Sequence, residues 1–354
     1  MMNLQETVEL EELCDFAARP VGEERKACLG LDPKGFFIRH PPTPHHLISF
    51  ITPEEQLFQT IHMGGAVIDT DRYSIIVDGL VRRPFTLPLA QLKKFPSTTI
   101  TAFHECYGSS LKPPTENLWR IGNVKWTGVR LQTLLDIAQP HSDARYVWSE
   151  GLDSGDFAGI TADRYQKDLP IAKALSPEVL LAYEMNGEPL TRNRGGPVRL
   201  IVPGWFGTNM TKWLCRLSLQ ADRAPGPFTT TFYNENDPND SGRMRPVWMV
   251  EPNSMIVSPP SGALLESPLV EVRGWAWSND GIEIVQICVD DDQTWLDADV
   301  ESRHDFNWQK FSTVVTLSPG SHRLTARATC SSGLKQPLSG RRNHVQTIGF
   351  EILD

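Results

Sequence analysis

The spacing of apolar residues between positions 73 and 203 predicts short strands mixed with short helices. Residues 73–80 and 98–103 are strand-like runs bounded by turn residues, and residues 90–94 between them have the composition of a short helix. Leucines at helical spacing predict an amphipathic helix over residues 129–137, and the apolar run 198–203 predicts a buried strand. This part of the chain is therefore expected to be a mixed α+β unit.

Beyond position 220 the pattern changes. Residues 221–245 are rich in Pro, Gly, Asn, Asp and Thr, as in a long ordered loop or linker. After them, short apolar runs alternate with turns at the spacing of a β-sandwich, and these runs cover residues 254–257, 270–277, 282–289, 312–317, 322–329 and 347–353. We therefore expect two domains: residues 1–245, of which residues 1–35 are an N-terminal extension, and an all-β immunoglobulin-like sandwich over residues 246–354.

Composition and charge exclude some classes of protein. A chain of 354 residues is long enough for two domains, and 40% hydrophobic residues suffice for a sizeable core. The net charge of −9 argues against a nucleic-acid-binding protein, which normally carries a basic face. No apolar run reaches the roughly 20 residues of a membrane span. The six cysteines are scattered and include no C-x-x-C pair, which indicates reduced thiols. The N-terminus shows no recognisable export signal, and we therefore expect a cytoplasmic location.

Three segments of the chain carry the candidate chemistry. Cys106 follows a predicted strand in the polar segment Phe-His-Glu-Cys-Tyr-Gly-Ser-Ser, residues 103–110. Arg194 and Arg199 lie in a distant polar cluster, and Lys212 follows them. A thiolate is a ligand for soft metals, whereas guanidinium and ammonium groups bind phosphate. Together they indicate a metal carried on an anionic organic cofactor.

These segments and the motifs around them resemble the sulfite oxidase family. The motifs that carry the resemblance are Phe-Phe-Ile-Arg-His (36–40), the strand with Val-Asp-Gly (73–81), Glu-Cys-Tyr-Gly (105–108), Gly-Asn-Val-Lys-Trp-Thr-Gly-Val (122–129), Tyr-Glu-Met-Asn-Gly (183–187), Gly-Gly-Pro-Val-Arg (195–199) and Lys-Trp-Leu (212–214). The resemblance implies a sulfite-oxidase-type molybdopterin-binding domain followed by a dimerisation domain. It also implies a molybdenum–molybdopterin cofactor whose metal is ligated by Cys106.

The resemblance further implies roles for individual residues. Ten residues are expected to contact the cofactor: Phe37, Arg39, His40, Cys106, Asp153, Arg194, Arg199, Asn209, Thr211 and Lys212. Three are expected to act on the substrate: Arg39 as an anion contact, Trp119 as an apolar wall, and Tyr233 as the proton donor or acceptor. We interpret three residues as packing residues: Trp126, Tyr183 and Cys215. We interpret His45 and His46 as solvated side chains of a Pro-rich loop.

Leu111 is the main departure from the family pattern. It stands where typical sulfite oxidases have a substrate-binding arginine, and one charge-assisted hydrogen bond typically contributes about 1.5–3 kcal/mol. The family's C-terminal Asn-Leu-Arg-Gly segment has no clean match, although Arg341 and Arg342 are candidates to replace its arginine. We therefore expect a preserved cofactor site, and a substrate that is either weakly bound sulfite or a larger or less charged sulfur or nitrogen compound.

The predicted function is molybdenum-dependent oxo transfer, with oxidation of sulfite or a related small anionic or sulfur-containing compound as the first choice. No cytochrome b5 segment and no C-x-x-C-H motif is recognisable, so no haem is expected and electrons pass to an external acceptor, either a cytochrome or a small oxidant. A homodimer through residues 246–354 is expected from the resemblance. Two alternatives stay open: a sulfoxide or N-oxide reductase on the same cofactor, and a catalytically silent cofactor-binding scaffold. A plain adhesion module leaves the first 245 residues unexplained.

Overall fold

Strands dominate the structure, which is a computed structural model describing residues 9–17, 22–109, 117–237, 240, 242–291 and 294–354. The α-helices in these residues are short: α1 (Leu89–Leu92), α2 (Leu131–Ala138), α3 (Ile171–Ala174) and α4 (Pro227–Thr230). The helix predicted at 129–137 is confirmed as α2, which buries its leucines. The expected α+β mixture overestimated the share of helix. Most apolar runs pair as strands, so the fold is mostly β. No helix in the described part of the chain is long and apolar enough to cross a membrane.

The first part of the chain forms many short strands. In chain order these are β1 (Cys28–Lys34), β2 (Phe37–Arg39), β3 (Gln59–Ile61), β4 (Gly64–Ile68), β5 (Ser74–Gly79), β6 (Phe85–Pro88), β7 (Ser97–Glu105), β8 (Ile121–Arg130), β9 (Tyr146–Gly151), β10 (Gly155–Phe157), β11 (Ile160–Ala162), β12 (Gln166–Pro170), β13 (Leu180–Met185), β14 (Glu188–Pro189), β15 (Arg199–Ile201), β16 (Leu214–Gln220), β17 (Asn234–Asn236) and β18 (Met244–Pro246). The segment predicted as a loop at 221–245 thus contains α4 and β17, and β18 begins within it.

Two sheets organise this part. One has the strand order β12-β9-β16-β5-β6, and β16 runs parallel to β5 but antiparallel to β9. The other has the order β14-β13-β8-β7, with β15 paired to β13. Its long antiparallel pair, β7 with β8, runs in register from Ser97↔Val129 to Glu105↔Ile121. This register brings Cys106, the residue after β7, beside the residue that precedes β8.

Both sheets bury apolar side chains in a common core. Trp126 of β8 is fully buried in it, Cys215 of β16 is 1% exposed and Tyr183 of β13 is 8% exposed. The prediction that these three are packing residues is therefore confirmed. Each large apolar side chain buried in this way contributes roughly 1.5–3 kcal/mol to folding. The core thereby holds the strand ends that carry polar side chains in fixed positions.

The C-terminal part is a separate set of paired strands. These are β19 (Asn253–Ser258), β20 (Leu264–Leu265), β21 (Leu269–Trp277), β22 (Ile282–Val289), β23 (Trp295–Val300), β24 (Gln309–Thr316), β25 (Gly320–Cys330) and β26 (Thr347–Ile352), in the order β19-β21-β24-β23-β22-β25-β26-β20. The strands predicted at 270–277, 282–289 and 322–329 are confirmed. The sequence did not predict β23, which pairs with both β22 and β24 and so joins the two halves of the sheet. Buried side chains from both halves form one apolar cluster.

Glu105 connects the two parts of the chain at the end of β7. Its fully buried carboxylate accepts hydrogen bonds from Nε1 of Trp277 (2.9 Å) and from Nδ2 of Asn253 (3.4 Å), and Nη1 of Arg342 lies 3.6 Å from it. These three partners all belong to the C-terminal part. Because Cys106 directly follows Glu105, the contact also fixes the position of the thiol.

Candidate functional site

Cys106 lies in a cavity that collects side chains from several elements. The cavity is lined by the residues around β3, by the end of β7, by the 3₁₀ turn Arg192–Arg194, by the segment between β15 and β16, and by Tyr233. Two groups of lining residues matter for its chemistry. The cationic set is Arg194, Arg199 and Lys212, and the neutral set is Thr60, His62, Tyr107, Tyr165, Thr208 and Tyr233.

The Cys106 thiol is held on a short turn after β7. Its backbone N–H donates to the carbonyl of Arg120 (2.9 Å), and the N–H of Ser109 donates back to the carbonyl of Cys106 (3.0 Å). A Cβ atom on Gly108 would lie 1.9 Å from Nη2 of Arg120, so only glycine lets this arginine pack beneath the turn. Within the described ranges, no cluster of three or more His, Cys, Asp or Glu side chains could hold a metal ion.

The cationic set carries more positive charge than the acidic side chains near it, Glu54 and Asp153, can balance. Arg199 is 2% exposed and donates only to the carbonyls of Arg194 (2.9 Å) and Met210 (3.3 Å), while its Nε has no partner. Arg194 donates to the carbonyl of Phe58 (2.7 Å) and forms an ion pair with Glu54 (3.3 Å). Burying several cations together is costly unless an anion accompanies them.

Burial and mutual repulsion lower the pKa values of these cations. Burial, reinforced by Arg194, lowers the pKa of Arg199 to about 9. Burial and the charge of Arg199 lower the pKa of Lys212 to about 7, although nearby Asp153 opposes this shift. Burial also raises the pKa of Asp153 to about 7, and its Oδ1 has no partner. The set therefore offers buried positive charge to an anion such as phosphate, and Oδ1 of Asp153 is an unused acceptor beside it.

The structure brings together six of the residues predicted from the sequence: Cys106, Asp153, Arg194, Arg199, Lys212 and Tyr233 all line this cavity. Two others lie behind its wall. Asn209 is fully buried, with Nδ2 donating to the carbonyls of Phe206 (3.1 Å) and Val247 (3.0 Å). Thr211 is fully buried and exchanges a hydrogen bond with Ser149 (2.7 Å). These two residues therefore shape the cavity without lining it.

The segment 36–40 was expected at the cavity, but the structure places it elsewhere. Phe37 and His40 are exposed, and Arg39 donates to the carbonyls of Glu54 (2.8 Å) and Leu57 (3.1 Å). Of Phe37, Arg39 and His40, none lines the cavity. The physical reason is strand pairing: β2 lies antiparallel against β3, and β3 occupies the cavity side.

Sequence reasoning missed β3 and its neighbours, Phe58 to His62, although a signal was present. The same Phe-x-x-x-His spacing found at residues 36–40 recurs at residues 58–62. The two segments lie side by side, because β2 pairs with β3. Only residues 58–62 line the cavity, and they include Thr60 and His62.

Three further predicted positions lie away from the cavity. Trp119 is 2% exposed, packs edge-on against Trp277 (ring centroids 6.0 Å apart) and lines a different cavity beside the C-terminal sheet. Arg341 pairs with Glu251 (2.7 Å) and Arg342 donates to the carbonyl of Ser109 (2.6 Å), so neither guanidinium lines the Cys106 cavity. Leu111 lies outside the described residues.

The neutral set has hydroxyl groups and one imidazole but no charge at neutral pH. Nε2 of His62 lies 2.6 Å from the hydroxyl oxygen of Tyr233, and the hydroxyl of Tyr165 donates to the carbonyl of Thr208 (2.6 Å). Burial, together with the cations Lys212 and Arg120, lowers the pKa of His62 to about 3. Burial raises the pKa of Tyr233 well above its usual value of 10. The cavity thus joins an anion-binding set to a set that offers neutral hydrogen bonds.

Comparison with known proteins agrees with this chemistry. Residues 62–228 match the family described as oxidoreductase molybdopterin binding domain. The chain is 32% identical over 336 residues to mitochondrial sulfite oxidase of Homo sapiens, covering 87% of this chain and 60% of that protein. It is 26% identical over 354 residues to sulfite oxidase of Arabidopsis thaliana, covering 88% of this chain and 89% of that protein.

A solved structure is similar over nearly the whole chain. The crystal structure of the sulfane dehydrogenase SoxCD from Paracoccus pantotrophus matches with a TM-score of 0.75 and 27% identity, covering 93% of this chain and 90% of that chain. The present chain spans only 54% of the length of the Rattus norvegicus sulfite oxidase and 60% of the human one.

Proposed function

We propose, from the premise that this chain belongs to the sulfite oxidase family of molybdopterin oxidoreductases, that it oxidises a sulfur compound and passes the electrons to a separate acceptor. The observation that carries the proposal is the cavity in which Cys106 lies together with the three cations Arg194, Arg199 and Lys212. In the overall reaction the substrate sulfur gains one oxygen atom from water, and two electrons and two protons are released.

The residues present fit the family's cofactor. Cys106 would supply a thiolate to molybdenum, because it is the one cysteine among the residues lining the cavity. The cationic set would hold the cofactor phosphate, and the free Oδ1 of Asp153 would accept a hydrogen bond from a ring N–H. When bound, the cofactor supplies the oxygen-atom and two-electron chemistry that no protein side chain provides.

The protein's own contribution to the reaction lies in the neutral set. Tyr233 presents a hydroxyl that can donate or accept a proton beside Cys106, and Thr60 adds a second hydroxyl next to the thiol. The aromatic rings and the core exclude water from the cavity walls, which strengthens these hydrogen bonds.

The same set supports a substrate with less charge than sulfite. Arg120 lies behind Thr60, with Nη1 donating to the threonine hydroxyl (3.4 Å) and Nη2 to the carbonyl of Gly108 (2.9 Å). Arg342 is likewise engaged by backbone carbonyls. Leu111 stands at the family's arginine position, and neither Arg120 nor Arg342 lines the cavity. We therefore propose an uncharged or singly charged sulfur compound as the preferred substrate.

Steady-state kinetics of the molybdenum-loaded protein test the proposal. Ferricyanide-linked oxidation of sulfite is compared with oxidation of thiosulfate and of organic sulfides, and the expected order places sulfite last. Leu111→Arg should lower the KM for sulfite by roughly tenfold, equivalent to about 1.4 kcal/mol of binding, whereas the size-matched control Leu111→Met should not. Saturation of the native enzyme at micromolar sulfite would contradict the substrate proposal.

A reductase remains the second candidate, because neutral hydrogen-bond donors also suit the oxygen of a sulfoxide or N-oxide. A parallel panel with reduced viologen distinguishes the two directions of oxo transfer. If the molybdenum-loaded protein is silent in both panels, the cofactor-binding scaffold is favoured over both enzymes.

We further propose that the protein is a cytoplasmic homodimer associated through residues 246–354. Isologous dimers are the commonest oligomers, and six scattered cysteines without a C-x-x-C pair suit a reducing compartment. Light scattering that showed only monomer at micromolar concentration would contradict the dimer, and cell fractionation tests the location.

A further inference from the structure

His62 and Tyr233 form a buried pair in the wall of the Cys106 cavity. Nε2 of His62 lies 2.6 Å from the phenol oxygen of Tyr233, and both residues line the cavity beside Cys106. They come from distant parts of the chain, since His62 follows β3 and Tyr233 precedes β17. Tyr233 was singled out from the sequence, but its partner was not.

The imidazole is held in one orientation by aromatic rings. The ring centroids of Phe157, Phe228 and Tyr165 lie 4.8 Å, 5.3 Å and 5.5 Å from that of His62, and the first two meet it edge-on. Ring packing of this kind leaves little freedom for rotation of the imidazole. The hydrogen bond to Tyr233 is therefore a fixed feature of the cavity.

The charged groups around the pair are mostly cations. Arg120 and Lys212 act on His62 and oppose its protonation. Nζ of Lys167 lies 5.5 Å from the centroid of the Tyr233 ring and donates to the carbonyl of Phe228 (3.1 Å). On the other side, Cys106 and the ring of Tyr107, 6.0 Å away, face Tyr233. This field keeps the imidazole neutral, whereas burial and Cys106 raise the pKa of Tyr233 and so keep its phenol protonated at neutral pH.

A neutral imidazole offers Tyr233 two hydrogen-bonding arrangements. If Nε2 carries the proton, it donates to the phenol oxygen, and the phenol O–H is directed into the cavity as a donor. After Tyr233 transfers its proton, the phenolate keeps the Nε2–H hydrogen bond. If Nδ1 carries the proton instead, Nε2 accepts the phenol proton, and the lone pairs of the phenol oxygen face the cavity as acceptors.

We propose that His62 is a positioning residue that sets the direction of the Tyr233 hydroxyl and stabilises its oxygen when a proton is exchanged with the substrate. The proposal rests on the proposed function, because it assigns Tyr233 to the proton steps of the same reaction.

The test compares His62→Phe, which keeps an aromatic ring among its aromatic neighbours, with His62→Gln, which restores a side-chain donor and acceptor. At equal molybdenum content, His62→Phe should lower kcat by about ten- to a hundredfold with KM nearly unchanged, since positioned proton transfer is worth roughly a hundredfold or more. His62→Gln should recover part of that loss. The double variant His62→Phe/Tyr233→Phe should be no slower than Tyr233→Phe, because the two residues act as one unit.

A second readout does not depend on turnover. In cofactor-free protein, the imidazole ¹⁵N resonances of His62 should shift in the Tyr233→Phe variant, because that variant removes the hydrogen bond at Nε2. Unchanged resonances, or losses of kcat that multiply in the double variant, would overturn the proposal. Absence of turnover by the native protein overturns the proposed function instead, whereas native kcat in an active His62→Phe protein overturns only the role of His62.

Discussion

The sulfur of Cys106 lies 3.9 Å from the hydroxyl oxygen of Thr60, and that oxygen accepts a hydrogen bond from Nη1 of Arg120 (3.4 Å). A guanidinium can only donate, so the single proton of Thr60 remains available to the sulfur. When the sulfur is a thiolate it can only accept, so the Thr60 hydroxyl is then a donor within reach of it. Donors of this kind tune the electron density on a ligating sulfur.

Thr60→Val should raise the electron density on the sulfur and lower the reduction potential of the bound metal, because it removes the donor but keeps the side-chain shape. Thr60→Ser, which keeps the hydroxyl, should behave like the native protein. Metal affinity or activity typically changes about 10- to 100-fold when such a partner is lost. Potentiometry of the loaded protein measures the effect, and identical potentials in both variants would contradict it.

Cys106→Ser should retain the fold and the pterin but lose more than about a hundredfold in oxo-transfer activity, since a direct ligand contributes more than its supporting residues. The matched control is Cys215→Ser, because the Cys215 thiol is buried in the core and donates to the carbonyl of Glu150 (3.3 Å). Molybdenum and pterin are measured per chain in each protein. Full turnover by Cys106→Ser would show that the metal site is wrongly assigned.

Lys212→Met should weaken cofactor retention but stabilise the cofactor-free protein against unfolding. The folded pKa of Lys212, about 7, lies below its ordinary value of 10.5, so between these pH values the unfolded chain binds more protons. Native stability therefore rises with pH across this window. The advantage of Lys212→Met should be largest at pH 7 and below and should shrink towards pH 10. Urea unfolding of both cofactor-free proteins at pH 6.5 and pH 9.5 measures it, and a constant difference would count against the buried charge.

Arg342→Met should destabilise the protein by about 2 kcal/mol, because it leaves the buried carboxylate of Glu105 without its cation. We expect a smaller loss of stability than for a fully buried ion pair, because the Arg342 side chain is 23% exposed. Glu105→Gln in the same chain should recover part of the loss, which a double-mutant cycle of denaturant unfolding measures. As a control, Arg341→Met removes a pair with Glu251 nearer the surface and should cost under about 1 kcal/mol. Equal losses in the two single variants would contradict the argument.

Residue types and the family resemblance together selected the candidate site. Cys106, Arg194, Arg199 and Lys212 were chosen for their residue types and surrounding motifs, and the structure places them in one cavity with Tyr233. The amphipathic spacing behind α2 and the long apolar runs behind β21, β22 and β25 were also sufficient, because such periodicity reflects which face of an element is buried.

Tertiary structure decided which side chains reach the cavity. Residues 36–40 and 58–62 share the Phe-x-x-x-His spacing. Only the pairing of β2 with β3 shows that residues 58–62 line the cavity. Arg39 and Arg342 carry the charge that an anion pocket needs, yet each donates to carbonyls contributed by distant or irregular backbone. Trp119 is drawn into the contact with Trp277 of the C-terminal sheet. The residue type and its local motif determine the chemistry that a side chain offers. Long-range strand pairing, and the need to satisfy buried hydrogen-bond donors, determine whether that side chain reaches the cavity.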